Sequence, residues 1–111
     1  MRRVLIGNVG SIARMGLEVL LTSEDHEMVG SCEGEGVLGF VFEVRPDVVL
    51  LDLDKDETPE LAGTIASEFP SIKVIACSFE EPVMQVFPPF HHGESYVSEM
   101  SRSLLARVLK N

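Results

Sequence analysis

The chain has 111 residues, 45% hydrophobic and 6% aromatic, with no Trp and a formal net charge of −9. That length accommodates one domain with a proper core and leaves no room for a second. The acidic balance repels phosphate backbones and anionic lipid, which argues against nucleic-acid or membrane partners and favours basic proteins.

The opening Met1-Arg2-Arg3-Val4-Leu5-Ile6-Gly7 joins two positive charges to a short apolar run. The run is too short for a signal peptide or a membrane span, and a cytoplasmic location is expected. Residues 3–7 predict a first strand and Gly7-Asn8-Val9-Gly10-Ser11 a turn. Ser11 is a helix cap, and Ile12, Gly16, Leu17, Leu20 and Leu21 mark one face of a helix ending near Ser23. After the charged loop Glu24-Asp25-His26-Glu27, a second strand runs from Met28 to Cys32. Glu33-Gly34-Glu35-Gly36 is a flexible loop, and Val37, Leu38, Val41 and Phe42 pattern a second helix to about Arg45.

Val48-Val49-Leu50-Leu51, preceded by Pro46 and followed by Asp52-Leu53-Asp54-Lys55-Asp56, predicts a third strand buried on both faces. Thr58-Pro59-Glu60 supplies a hydroxyl cap, an early proline and a first-turn acid for a third helix. Leu61, Ile65 and Phe69 form its stripe and Pro70 stops it. Ile72 to Ser78 predicts a fourth strand. Glu81 to Val86 opens a fourth helix that Pro88-Pro89 truncates. Ser95-Tyr96-Val97 is a fifth strand, and Met100, Leu104, Leu105, Val108 and Leu109 pattern a final helix. Cys32 and Cys77 lie in or beside apolar segments and read as reduced core thiols.

The expected fold is therefore α/β: a doubly wound, five-stranded parallel sheet of order 2-1-3-4-5 with helices on both faces, one domain over residues 1–111. Ligands of such sheets bind at the carboxyl ends of the strands, at the switch point in strand order. That places Asn8, Asp52 and Ser78 at one sheet edge, where a carboxylate, a hydroxyl and an amide form a phosphoryl-type site. The bland reading of Asp52 is a cap for the following loop.

Over essentially its full length the chain resembles the response-regulator receiver domain, the flavodoxin-like module of two-component phosphorelay signalling. Arg45-Pro46-Asp47-Val48-Val49-Leu50-Leu51-Asp52-Leu53 is similar to that family's third strand. Arg14, Gly16, Met28-Val29-Gly30, Ile72-Lys73-Val74-Ile75 and Tyr96 also sit where receivers commonly have such residues. The resemblance implies that Asp52 is the phosphoacceptor, Ser78 the hydroxyl that senses the phosphoryl group, and Tyr96 the aromatic switch.

Three positions depart from the family pattern. The acidic pair that holds Mg²⁺ is Asn8-Val9, the lysine ending strand 5 aligns with Glu99 or Ser98, and Asp54-Lys55 replaces a Met-Pro. Mg²⁺ favours one or two carboxylates in a near-octahedral set of oxygens, so Asp52, Asn8 and Asp54 make a weak Mg²⁺ site at best. A glutamate in place of the lysine repels a phosphoryl group.

Rival patterns are weaker. Gly7-Asn8-Val9-Gly10-Ser11-Ile12-Ala13 is a spaced-out dinucleotide fingerprint with Glu33 as its ribose acid. Asp52-Leu53-Asp54 resembles the nucleophile motif of haloacid-dehalogenase-type phosphatases, but Asp56 stands at the hydroxyl position. Asp52-x-Asp54-x-Asp56 begins like an EF-hand loop, yet Glu57 and Gly63 occupy its required glycine and glutamate positions. His91-His92 reads as a loop pair. The expected function is that of a stand-alone, non-enzymatic receiver. Its expected partner is a histidine kinase or downstream effector, and the helix 4–strand 5–helix 5 face is the expected contact surface, for such a partner or for a second copy in a homodimer. The alternatives are a phosphorylation-independent scaffold or dimerisation domain and a small nucleotide-binding domain.

Overall fold

The computed structural model describes residues 2–22, 26–32, 36–90 and 94–110. In chain order the elements are β1 (Arg2–Ile6), α1 (Ser11–Thr22), β2 (His26–Ser31), α2 (Val37–Val44), β3 (Val48–Asp52), α3 (Thr58–Glu68), β4 (Lys73–Cys77), β5 (Val83–Phe87), β6 (Tyr96–Glu99) and α4 (Arg102–Lys110). They form one six-stranded sheet of order β2-β1-β3-β4-β5-β6. The pairs β1–β2, β1–β3 and β3–β4 are parallel, while β4–β5 and β5–β6 are antiparallel.

The period of two along each strand divides the core into two layers. Val4, Ile6, Val48, Leu50, Ile75, Cys77, Met84 and Val86 pack with Leu17 of α1 and with Leu105 and Leu109 of α4. Leu5, Val49, Leu51, Val74, Ala76 and Phe87 pack with Val37 and Val41 of α2 and with Ala62 and Ile65 of α3. Val48 to Leu51 are fully buried, as an apolar run covered on both faces requires.

The α/β class and the 2-1-3-4 order of the parallel strands follow the expectation. The clean five-stranded parallel sheet does not form, because the segment expected to start a fourth helix is strand β5. Only five residues separate Pro82 from Pro88, too few for a stable helix between prolines. Within them Met84 and Val86 are buried at period two. The chain reverses after β4, and the Ser78 amide donates to the Val83 carbonyl at 3.0 Å, closing a hairpin. The expected fifth strand is therefore β6, displaced one position outward, and it pairs with β5 where a helix was expected.

Two backbone features anchor β3 and its neighbour β1. Arg45 ends α2 in the left-handed region at φ 51°, its amide donating to the Val41 carbonyl. The Asp47 carboxylate then accepts the Arg3 amide at 2.8 Å. At the other end of β1, a Cβ on Gly7 would lie 2.7 Å from a Leu51 methyl and 3.1 Å from Val37, so only glycine lets the turn pass over this layer. Among the described residues, no helix is long and apolar enough to cross a membrane.

Candidate functional site

The carboxyl ends of β1, β3 and β4 bring Asn8, Asp52 and Ser78 to one edge of the sheet, as the strand order requires. Asn8 is buried, and its two amide atoms have different tasks. Its Oδ1 accepts the Asp52 backbone N–H at 3.0 Å, and its Nδ2 donates to the Thr58 hydroxyl at 3.0 Å. That hydroxyl, itself fully buried, donates onward to the Asp52 backbone carbonyl. A closed ring of bonds thus ties the β1 turn, the end of β3 and the start of α3. Neighbouring Val9 is in the α1/α4 core layer, where a carboxylate would be buried in apolar surroundings.

Thr58 is not the helix cap that its sequence position suggests. Glu57 occupies the cap position without a side-chain bond, and Thr58 is the first helical residue, with its hydroxyl turned inward. The signal was a hydroxyl six residues beyond Asp52, but its partners are set by the fold.

Asp52 is half-buried, and its Oδ1 accepts the Asp54 amide at 2.9 Å, a short side-chain-to-backbone turn. Asp54 is then presented to the β4–β5 loop. Its Oδ1 accepts the Ser78 hydroxyl at 2.7 Å, and its Oδ2 accepts the amides of Phe79 at 2.8 Å and Glu80 at 3.3 Å. The Ser78 hydroxyl, and after it the Phe79 amide, hold the Asp54 carboxyl below its ordinary 3.8. Ser78 Oγ accepts in turn from the amides of Glu81 at 3.0 Å and Glu80 at 3.3 Å. This hydroxyl is committed as donor and as acceptor. Beneath Asp52 in register lies Cys77, whose thiol is pushed up to about 12 by burial and then by the Asp52 charge. Cys77 is a core thiol without nucleophilic character.

The donor set does not fit Mg²⁺ in this arrangement. Asn8 offers a neutral oxygen already accepting from Asp52, and Asp54 faces Ser78. Among the described residues no group of three His, Cys, Asp or Glu could hold a metal ion. The glycine-rich turn is likewise closed on itself: the Val9 amide donates to the Gly7 carbonyl and the Arg14 amide to the Gly10 carbonyl. Glu33, the ribose acid of the nucleotide reading, and His91-His92 lie outside the described residues.

Tyr96 is not brought to Asp52. Register runs Leu50–Ile75–Val86–Tyr96 across the sheet, so Tyr96 sits three strand spacings, about 14 Å, from β3. Ser98 and Glu99 are on the same distant strand. Tyr96 instead lines a groove of about 580 Å³ with Lys73, Val86, Pro88, Pro89, Glu94 and Ser95. Lys73 is buried at its floor, and its ammonium donates to the Val108 carbonyl at 2.6 Å, near the end of α4. The helix dipole favours a cation there. Burial, and then the charge of Arg2, lower the Lys73 pKa. A lone lysine inside Ile72-Lys73-Val74-Ile75 was the signal for this anchor in the sequence.

Neither a scan against protein-family models nor a search of curated proteins returns a match to this chain.

Proposed function

We propose that the chain is a receiver-like protein-interaction module whose ground state does not depend on phosphorylation. The observation that carries this reading is the Ser78 hydroxyl, which donates to Asp54 at 2.7 Å while accepting from the Glu81 amide. A phosphoryl group on Asp52 would have to take that hydroxyl from a carboxylate, against the repulsion of Asp54 itself. Asn8 and Thr58, the other polar groups at this edge, are bound to each other and to the Asp52 backbone. Such a ring rigidifies an edge rather than leaving donors for a ligand.

A second reading keeps Asp52 as a phosphoacceptor for a histidine kinase or a small phosphodonor. It is favoured by the half-buried Asp52 carboxylate, which takes one hydrogen bond from the described residues, from the Asp54 amide. In that reading Asp54 leaves Ser78 when Asp52 is modified, and the two states form a population switch.

The readings separate in amide NMR spectra recorded with millimolar Mg²⁺ and beryllofluoride, a phosphoryl mimic. The interaction-module reading expects spectra of wild type and Asp52→Asn to respond alike. Shifts of Ser78, Phe79 and Glu80 that vanish in Asp52→Asn would replace it with the acceptor reading.

A further inference from the structure

The end of the sheet formed by β5 and β6 differs from the rest in what covers it. Antiparallel register puts Tyr96 on the side of Val86, towards α4, and Val97 on the side of Gln85, towards the α2/α3 layer. The α3 helix packs mainly on β3 and β4. Tyr96 is accordingly 47% exposed and Val97 68%, so both faces of one strand present strand-forming side chains to solvent. The outer edge of β6 pairs with no strand among the described residues.

Edge strands are normally protected by shortness, charged side chains, a bulge or a proline, and β6 has of these its four-residue length and Glu99. The opposite edge has such a device: the β1–β2 register shifts between Val4 and Leu5, leaving one extra residue in β2. Across β5–β6 the register is unbroken from Val83–Glu99 to Val86–Tyr96. Tyr96-Val97-Ser98-Glu99 contains neither lysine nor proline. Its flanks are acidic, with Glu94 before it and Glu99 at its end, both exposed. A second copy is a poor occupant. Antiparallel self-pairing centred between Tyr96 and Val97 sets Glu94 of each copy opposite Glu99 of the other, and each chain carries −9.

We propose that the outer edge of β6 is a docking site for an extended segment of a basic partner protein, which adds a seventh strand to the sheet. Backbone hydrogen bonds supply the binding, Tyr96 and Val97 contact alternate side chains on the two faces, and Glu94 and Glu99 select lysine or arginine at the ends. This rests on the interaction-module reading and names its surface and partner class.

The test is a titration of the isotopically labelled protein with the peptide Lys-Val-Thr-Val-Thr-Val-Lys, alongside a version with glutamate at both ends. The expected result is amide shifts centred on residues 95–99, slowed hydrogen exchange in β6, and about tenfold weaker binding of the glutamate version. Val97→Pro removes a backbone donor and abolishes binding. Val97→Lys, which leaves the fold intact, weakens it several-fold. Three results would overturn the proposal: no response at residues 95–99, equal binding of the two peptides, or concentration-dependent dimerisation protecting β6 without peptide. Each leaves the interaction-module reading standing, since that reading fails on an Asp52-dependent response to beryllofluoride.

Discussion

The carboxyl edge of the central strands and the open β6 side of the sheet treat their polar groups in opposite ways. Around Asp52 the buried Asn8 amide and Thr58 hydroxyl bind each other and the Asp52 backbone, and the Ser78 hydroxyl is committed to the Asp54 carboxylate. At β6 the backbone edge and the side chains of Tyr96 and Val97 face solvent. One has the position expected of a reactive site and the interactions of a structural clasp. The other has an unpaired backbone edge among the described residues and the exposure of a binding surface. Position at the carboxyl edge of a strand identifies a candidate, whereas the hydrogen bonds already made there decide what remains for a ligand.

Substitutions that unmake the clasp should have the largest effects. Asn8→Asp puts a charge at a buried position beside the Asp52 carboxylate, and should cost about 3 kcal/mol in urea unfolding. In that variant alone, millimolar Mg²⁺ should raise the unfolding midpoint, because the ion would now have two carboxylates. Thr58→Val leaves the Asn8 amide and the Asp52 carbonyl without their shared partner and should lower stability by about 1–3 kcal/mol. If Thr58→Val is neutral by urea denaturation, the clasp is not a structural feature.

The Asp54 bond predicts a pH dependence of definite sign. A carboxyl lowered in the folded state contributes stability that is fully present above its ordinary 3.8 and is lost as pH falls through its lower folded value. The Phe79 amide resonance should therefore titrate with a midpoint below 3.8, and Asp54→Asn should remove that step. A midpoint at or above 3.8 would mean that Asp54 is not held by Ser78 in solution. The smallest effect is expected at the open end. Val97→Ser should change unfolding free energy by no more than about 0.5 kcal/mol. The same change should weaken capture of the lysine-ended peptide, which would separate binding from stability.

Much of the parallel half was legible in the sequence. Val48 to Leu51 could be read as a doubly buried strand because every residue is apolar, and the turn signals around it fixed its ends. The edge position of Asn8, Asp52 and Ser78 followed from strand order alone. What escaped was set by tertiary contacts. Val83 to Phe87 is a short apolar segment that suits a helix start or a strand equally, and the hairpin with β4 decided between them. Displacement of Tyr96 from Asp52 followed from that one element. The Asp54–Ser78 bond spans 24 residues and depends on Asp52 pairing with Cys77. Thr58 looked like a cap because caps and buried hydroxyls share a residue type, and only packing distinguishes them.

The central claim is that the Asp52 edge is closed by the chain itself. Its most direct test is incubation with acetyl phosphate and millimolar Mg²⁺, followed by intact-mass analysis of wild type, Asp54→Asn and Asp52→Asn. The account predicts no phosphorylated wild type and a gain confined to Asp54→Asn, where the charge competing for Ser78 is removed. Wild-type protein that is phosphorylated in full, with the modification lost in Asp52→Asn, would contradict it.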